Sequence, residues 1–210
     1  MTLRFSSDPD IAVNVLHDGG IILHPTDTIL GIATRYDNIS GIEKIISAKN
    51  RAKSFPHSVL VSSFQISESI TKNVCTGSEK LKNFLSMIWP GPITCIFEAQ
   101  REIPYVTKAT EQFHTIAIRY PSHKPSLEII DRLKKPIITT SVNTHQHDIP
   151  KSIDELPYNL QDIIDLVFDP GDIRFSGKPS TMISLIDENF SLIREGIIPF
   201  SNLKKIWDKS

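Results

Sequence analysis

Small polar side chains follow an apolar run near the start of the chain, in the stretch HPTDTILG. The run GIILH ends at Pro25, and Thr26, Asp27 and Thr28 come directly after it. A surface turn requires a glycine or an Asx residue, but it has no need of two threonines around an aspartate. Hydroxyl and carboxylate groups at the end of a strand are also suited to binding a small polar ligand. The residues alone leave both interpretations open.

Two cations stand two residues apart at the end of a helical pattern, Lys49 and Arg51 in AKNRAK. In an extended turn both side chains project to one side. A lysine point charge beside a forked guanidinium suits a carboxylate or a polyphosphate. Cations in the last turn of a helix also interact favourably with its dipole, which is a purely structural explanation.

Neutral hydrogen-bonding groups repeat this spacing in TTSVN, where Ser141 and Asn143 follow an apolar strand pattern. In open α/β sheets, ligands bind beyond the carboxyl ends of strands. Arg119 ends another such pattern and alternates with Ile116 and Ile118. It therefore points either into a cleft or into water.

Further candidates lie near the C-terminus. Ser180 and Thr181 enter a predicted strand, and Arg194 follows one, just before a turn glycine. His145 and His147 are spaced like metal ligands, but no acidic or cysteine partner lies at ligand spacing. We interpret these two histidines as exposed loop residues and predict no metal site built by the protein.

The common phosphate-binding motifs do not occur. There is no G-x-G-x-x-G, and GDIRFSGKPS departs from a P-loop in both its glycine spacing and its proline. Cys75 and Cys95 lie in no metal-ligand spacing, which favours reduced, half-buried thiols.

The composition is that of a globular protein. The 210 residues are 40% hydrophobic and 22% charged, with a net charge of −1, and we predict one domain spanning 1–210. This charge gives no global attraction to nucleic acid or to an anionic membrane. The first ten residues hold no signal-peptide core, and no apolar run reaches membrane-spanning length. We predict a cytoplasmic protein.

Helical and strand patterns interleave along the chain, which indicates a layered α/β fold with a mixed sheet. The helices are predicted in SSDPDIAVNVLHDGG, DNISGIEKIISAK, SEKLKNFLSMIW and SLEIIDRLKK, and the strands in GIILH, SVLVSS, ITCIFEA, TIAIRY, PIITTSV, DLVFD and TMISLID.

The candidate residues fall in motifs whose order resembles a known family. HPTDTILGIA, AKNR, WPGPIT, TIAIRYPSH, TTSVN, STMIS and LIREGII occur in sequence from about Gly20 to Ile198. This combination resembles the threonylcarbamoyl-AMP synthases of the YrdC/Sua5 family, in their single-domain form.

The resemblance implies a twisted mixed β-sheet with flanking helices around a large, concave, cationic cavity. It also implies a nucleotidyltransferase that forms threonylcarbamoyl-AMP and pyrophosphate from L-threonine, bicarbonate and ATP, with Mg²⁺ accompanying the ATP. The product would feed a threonylcarbamoyl transferase complex that modifies tRNA to t6A. No membrane partner is implied.

The resemblance also assigns roles to the candidate residues. Because three charged partners meet, the chemistry requires cations and positioning more than a protein nucleophile. On this basis the catalytic residues are Lys49, Arg51, Ser141 and Asn143. The threonine-binding residues are Thr26, Asp27, Thr28 and Thr181. The ATP-binding residues are Lys49, Arg51, Arg119, Ser141, Asn143, Ser180 and Arg194.

Two departures from the family pattern keep alternatives open. Leu30 replaces a usual tyrosine, and Phe55 stands where a polar or basic residue is common. One alternative is a YciO-like paralogue that binds double-stranded RNA or tRNA without this activity. Another is carbamoyl transfer from carbamoyl phosphate, as in domains of hydrogenase-maturation proteins, although those chains are usually longer.

Overall fold

One β-sheet joins the elements of the chain. The computed structural model describes residues 3–49, 57–102, 108–109, 114–142, 155–171 and 177–210. The strands in these residues are β1 (Phe5–Ser6), β2 (Ile22–His24), β3 (Gly31–Arg35), β4 (Ser58–Leu60), β5 (Ile93–Glu98), β6 (Lys108–Ala109), β7 (His114–Arg119), β8 (Ile137–Ser141), β9 (Leu166–Phe168), β10 (Thr181–Ser184) and β11 (Ser191–Arg194). The helices are α1 (Pro9–His17), α2 (Ile39–Ala48), α3 (Phe64–Glu68), α4 (Glu79–Ile88), α5 (Lys124–Leu133), α6 (Tyr158–Gln161) and α7 (Phe200–Trp207), with a 3-10 turn at Ile186–Glu188.

The sheet contains both parallel and antiparallel pairs. Its strand order is β1-β9-β2-β3-β8-β4-β7-β5-β10-β11, and β6 pairs with β7 beside this path. The pairs β1–β9, β2–β9, β4–β7 and β5–β10 are parallel, whereas β2–β3, β3–β8, β4–β8, β5–β7 and β10–β11 are antiparallel. The predicted α/β fold with a mixed sheet is confirmed.

Helix α1 begins where its sequence signals indicate. The Asp8 side chain accepts a hydrogen bond from the backbone N–H of Asp10, and Pro9 occupies the first turn, where its missing N–H removes no helical bond. Ala12 and Leu16 lie one turn apart and are both fully buried. The apolar spacing therefore attaches this helix to the sheet.

The central strands are buried on both faces. Ile22 and Leu23 are neighbours in β2, yet they pack into two different hydrophobic clusters because successive strand residues point to opposite faces. Helices α1 and α5 contribute to the cluster around Ile22, while α2 and α4 contribute to the cluster around Leu23. The sheet is therefore a layer between two sets of helices. Most of the predicted polar site residues in the described part of the chain lie at or just beyond the ends of its strands.

A stack of aromatic rings fastens the C-terminal helix beside β11. Phe190 lies between Phe200 and Trp207, with ring centroids 5.1 Å and 5.2 Å away and nearly parallel planes. Phe84 of α4 meets both Phe190 and Trp207 edge-on. Strand β11 ends in Arg194, so this stack fixes the part of the backbone that carries a predicted site residue.

The prediction of two reduced, half-buried thiols is correct in part. Both cysteines are free, with Cys75 partly buried, whereas Cys95 is fully buried rather than half-buried.

None of the helices in the described part of the chain is long and apolar enough to cross a membrane.

Candidate active site

The polar segment after Pro25 forms a tight, internally bonded loop. The Thr26 hydroxyl donates to the carbonyl of Ile29 at 2.7 Å and accepts from the backbone N–H groups of Thr28 and Ile29, both at 3.2 Å. Thr26 is 3% exposed. Its side chain therefore holds the loop in its conformation. Direct binding of the substrate threonine by this hydroxyl stays a prediction, because the hydroxyl would first have to give up one of these hydrogen bonds.

Asp27 and Arg119 form a buried ion pair at the centre of this region. Arg119 Nη2 contacts one Asp27 oxygen, and the other oxygen accepts from the backbone N–H and the hydroxyl of Ser122, at 3.1 Å and 2.8 Å. Arg119 Nη1 also donates to Thr28 Oγ1 at 2.7 Å. The question left open for Arg119 is thereby answered, because its side chain points inward and joins the end of β7 to the loop.

A second arginine approaches Arg119 from the edge of the sheet. Arg194 Nη2 donates to the carbonyl of Ser180 at 3.0 Å. The Ser180 hydroxyl in turn lies 2.7 Å from Thr94 Oγ1. Arg194 is exposed at the end of β11, and no ion pair in the described part of the chain includes it. Its guanidinium therefore retains donors that can meet an anionic ligand.

The charges of the two arginines influence each other. Burial, followed by the positive charge of Arg194, lowers the pKa of Arg119 from 12.5 to about 9. Although part of Arg194 is exposed, the loss of some of its hydration beside Ser180 lowers its pKa as well. Both groups remain cationic at neutral pH, and Asp27 balances only one of them. This region consequently carries an excess of positive charge, which favours a ligand with several negative charges.

Thr181 holds the segment that follows Arg194. Its hydroxyl donates to the carbonyl of Ile198 at 2.5 Å and accepts from the N–H groups of Gly196 and Ile198, both at 3.1 Å. Thr181 is fully buried. As with Thr26, binding of threonine by this side chain stays a prediction, because its hydrogen bonds are made within the protein.

The WPGPIT motif connects the strands that carry these residues. Gly91 N–H donates to the carbonyl of Tyr120 at 2.8 Å, and Thr181 N–H donates to the carbonyl of Pro92 at 3.2 Å. Trp89 is 3% exposed, and its indole N–H donates to the carbonyl of Ile93 at 2.8 Å. The motif thus joins the end of β7, which carries Arg119, to the start of β10, which pairs with the strand that carries Arg194. Arg119 and Arg194 together are called the arginine cluster.

Lys49 and Ser141 meet at the other end of the loop. Lys49 follows α2, is 5% exposed, and donates through Nζ to the Ser141 carbonyl. Ser141 pairs with Gly31, and the N–H of Val142 donates to the carbonyl of Leu30 at 3.3 Å. The loop after Pro25 therefore runs from the arginine cluster to the lysine, although Lys49 and Ser141 are about ninety residues apart in sequence.

Several candidates cannot be placed in this way. Arg51, Phe55 and Asn143, together with His145 and His147, lie outside the described residues. Among the residues that the structure does describe, no group of three His, Cys, Asp or Glu side chains is arranged to hold a metal ion.

The sequence did not reveal all of the polar groups at this site. Ser122 completes the coordination of Asp27, and Thr94 supports Ser180, yet neither was a candidate. Thr94 is the threonine of WPGPIT, and Ser122 lies within the R-x-P-x-H stretch. Their place inside those motifs was the available signal.

An open cavity of about 570 Å³ lies between α2 and α6. It is lined by Lys44, Ser47, Ala48, Asn159, Asp162 and Ile163. This lining adjoins Lys49 but includes none of the predicted site residues. The large cationic cavity expected from the resemblance stays a prediction.

His24 is the buried histidine directly before the loop. Burial, followed by the charge of His123, lowers its pKa from 6.5 to about 3. Its imidazole is therefore neutral at physiological pH. His123 itself precedes α5 and accepts a hydrogen bond from the backbone N–H of Ser126 at 3.3 Å, so it caps the start of this helix.

We expect the buried imidazole to make the protein less stable in acid. Below pH 6.5 the unfolded chain binds a proton at His24 that the folded chain does not, so stability falls by up to about 1.4 kcal/mol per pH unit until pH 3 is approached. Urea unfolding between pH 7 and pH 4 measures this slope. His24→Asn should flatten it, whereas Thr71→Val, which removes a buried hydroxyl elsewhere, should lower stability without changing the slope. Equal slopes in wild type and His24→Asn would contradict this assignment.

Comparison with known proteins assigns the chain to a family. The Sua5/YciO/YrdC family model, described as telomere recombination, matches residues 14–196. The chain belongs to the Sua5/YciO/YrdC family. The resemblance to this family is thereby confirmed, and every described site residue lies within the matched range.

Relatives and solved structures of the Sua5/YciO/YrdC family agree with this membership. The threonylcarbamoyl-AMP synthase of Pyrococcus abyssi is 28% identical over 197 residues, which cover 93% of this chain and 56% of that protein. P. abyssi Sua5 complexed with L-threonine superposes with a TM-score of 0.83 at 24% identity, over 98% of this chain and 61% of that one. Escherichia coli YciO superposes with a TM-score of 0.79 at 19% identity, over 96% and 97% of the two chains. The fold is thus confirmed, and the chain spans a little over half of the length of the Pyrococcus synthase.

Proposed function

We propose that this protein is an L-threonylcarbamoyladenylate synthase, a nucleotidyltransferase formed by one domain of residues 1–210. L-Threonine and bicarbonate would give a carbamate with loss of water. A carbamate oxygen would then attack the α-phosphorus of ATP, forming a new P–O bond while the bond to pyrophosphate breaks. The chain's similarity to proteins named threonylcarbamoyl-AMP synthase supports this reaction, and the comparisons do not favour the RNA-binding alternative.

The observation that carries the proposal is the pair of arginines beside a polar loop. Asp27 pairs with Arg119, whereas Arg194 is exposed and belongs to no ion pair among the described residues. Such a cluster suits a triphosphate, whose charge the remaining guanidinium donors can neutralise. In the proposal Ser180 supports Arg194 and lies near the nucleotide.

Lys49 and Arg51 would neutralise the triphosphate and the carbamate at the opposite end of the loop. Ser141 and Asn143 would hydrogen-bond the triphosphate and the waters around the Mg²⁺ that enters with ATP. Mg²⁺ retains several waters and is bound largely through substrate phosphates, so a dedicated protein cage is not required. Asp27 and Thr28, with Thr26 and Thr181, would form the threonine-binding part of the site.

Wider roles follow from the same proposal. The product would pass to a threonylcarbamoyl transferase complex that modifies tRNA to t6A, with or without direct tRNA binding by this chain. A cytoplasmic location would bring the enzyme together with ATP and tRNA.

The experiment that tests the proposal is pyrophosphate release from ATP. Release should require both L-threonine and bicarbonate, and mass spectrometry of the mixture should detect threonylcarbamoyl-AMP. A panel of other amino acids then defines the amino-acid specificity of a chain that has Leu30 in place of the family's usual tyrosine. Salt-sensitive binding of tRNA without any threonine-dependent release would favour an RNA-binding protein instead.

We expect Arg194→Ala to weaken ATP binding by roughly tenfold to a hundredfold, because a charge-assisted hydrogen bond to an anion contributes about 1.5–3 kcal/mol. Titration calorimetry with a non-hydrolysable ATP analogue measures this loss. Arg132→Ala is the matched control, since Arg132 pairs with Asp10 and Glu128 on the surface and is expected to leave ATP affinity unchanged. Unchanged ATP affinity in Arg194→Ala would remove this residue from the nucleotide site.

A further inference from the structure

Two buried side chains, His24 and Ser126, contact each other next to the backbone at the start of the loop. The hydroxyl of Ser126, in the first turn of α5, donates to the carbonyl of Pro25 at 2.7 Å. His24 Nδ1 lies 3.4 Å from the same hydroxyl, and His24 Nε2 lies 3.1 Å from Thr139 Oγ1. His24 is 0% and Ser126 is 1% exposed, so water does not compete for these contacts.

The Ser126 hydroxyl donates its single proton to the Pro25 carbonyl, which can only accept. Two ring nitrogens face the oxygen of this hydroxyl, His123 Nδ1 at 2.9 Å and His24 Nδ1 at 3.4 Å. On the other side of His24, Thr139 Oγ1 lies 3.1 Å from Nε2 and donates to the carbonyl of Ile32 at 3.4 Å. These contacts form one continuous path from β8 through His24 and Ser126 to the loop, for either tautomer of the neutral His24 ring.

Gly31 allows β3 to lie close against this path. A Cβ atom at Gly31 would lie 2.5 Å from Thr139 Oγ1 and 3.2 Å from His24 Nε2. Any larger residue would push the imidazole and the threonine apart. A glycine at position 31 therefore leaves room for the contact between His24 and Thr139.

The path joins the two groups of candidate residues. Thr139 lies two residues before Ser141, whose carbonyl accepts from Lys49. At the other end, Pro25 directly precedes Thr26, and Asp27 pairs with Arg119. A shift of Pro25 relative to β8 would therefore change the separation between the lysine and the arginine cluster.

We propose that His24 and Ser126 are positioning residues that fix the loop 25–28 relative to β8, and so keep the threonine-binding loop aligned with Lys49. Neither side chain is required to touch substrate. This inference rests on the proposed function, because that function assigns threonine to the loop. A small displacement of a positioned group is enough to lower the rate of a reaction that depends on alignment.

Ser126→Ala tests the proposal in steady-state kinetics of pyrophosphate release. We expect the KM for threonine to rise about tenfold, while the KM for ATP changes by less than about twofold. Ser126→Thr retains the hydroxyl and should restore most of the threonine affinity. Thr71→Val is the matched control, because it removes a buried hydroxyl that donates to the carbonyl of Ser67 outside the site. If Ser126→Ala has the threonine KM of Thr71→Val, the proposal is wrong.

Nuclear magnetic resonance separates this inference from the proposed function. In the wild-type protein, ¹⁵N spectra of the histidine rings should show His24 as a single neutral tautomer at pH 7, and Ser126→Ala should shift both the His24 ring signals and the backbone amide signals of Asp27 and Thr28. These results do not depend on turnover. A wild-type protein without activity would refute the proposed function alone, whereas unshifted His24 and loop signals in Ser126→Ala would overturn the positioning role.

Discussion

Replacing Lys49 by alanine is expected to reduce pyrophosphate release at least about a hundredfold while the protein stays folded. The ammonium group lies beside the carbonyl of Ser141 and would neutralise charge that develops as pyrophosphate leaves. Loss of one such electrostatic contact in an active site typically removes about 3 kcal/mol of transition-state stabilisation. The same loss is predicted for Arg51→Ala. Single-turnover assays at saturating ATP and threonine measure the effect on the chemical step.

Two further variants show whether charge or packing is responsible. Lys49→Met retains an apolar stem of similar length but removes the charge, so it should be as inactive as Lys49→Ala. Lys44→Ala removes an exposed lysine from α2, the helix that Lys49 follows, and should retain full activity. Wild-type turnover in Lys49→Met would exclude the ammonium group from the mechanism.

Replacing Asp27 by alanine is expected to destabilise the fold by about 3 kcal/mol as well as abolish activity. The guanidinium of Arg119 would remain buried, with its side chain 6% exposed, but without a carboxylate partner. Removing one member of a buried ion pair typically costs about 3–5 kcal/mol, because a charge is left desolvated and unpaired. Urea unfolding monitored by tryptophan fluorescence measures this loss.

The chain provides a matched control for the Asp27 variant. Asp37 pairs with Arg35 and Lys135 near the surface, so Asp37→Ala should cost less than about 1 kcal/mol. Adding Arg119→Met to Asp27→Ala should recover much of the lost stability, because the unpaired charge is removed, but it should not recover activity. Equal losses in Asp27→Ala and Asp37→Ala would contradict the importance of burial at this pair.

The parts of the fold that could be predicted are those with strong local signals. Helix α1 was indicated by Asp8 and Pro9, and its boundaries follow from hydrogen bonds within a few residues. By contrast, α7 begins after Pro199 without any side-chain cap, and it was not predicted because it is held by contacts with other elements, such as the aromatic stack around Phe190. The strand expected before Arg194 is present as β11, although none of its residues is buried.

The candidate site was predictable in its residue types but not in its pairings. Arg119 was placed at a strand end and Thr181 at a strand start, and the structure confirms both positions. The ion pair of Arg119 with Asp27 joins residues 92 positions apart, so nothing in either local pattern indicates it. The internal bonding of Thr26 likewise depends on a loop geometry that residue types alone do not specify.

We expect the arginine cluster and Lys49, at opposite ends of one loop, to bind the same ATP molecule. A crystal structure of the protein with a non-hydrolysable ATP analogue and L-threonine tests this expectation most directly. We predict that the triphosphate contacts both Lys49 and Arg194, with threonine beside Asp27 and Thr28. A nucleotide bound at only one end of the loop, or in the cavity between α2 and α6, would contradict the account.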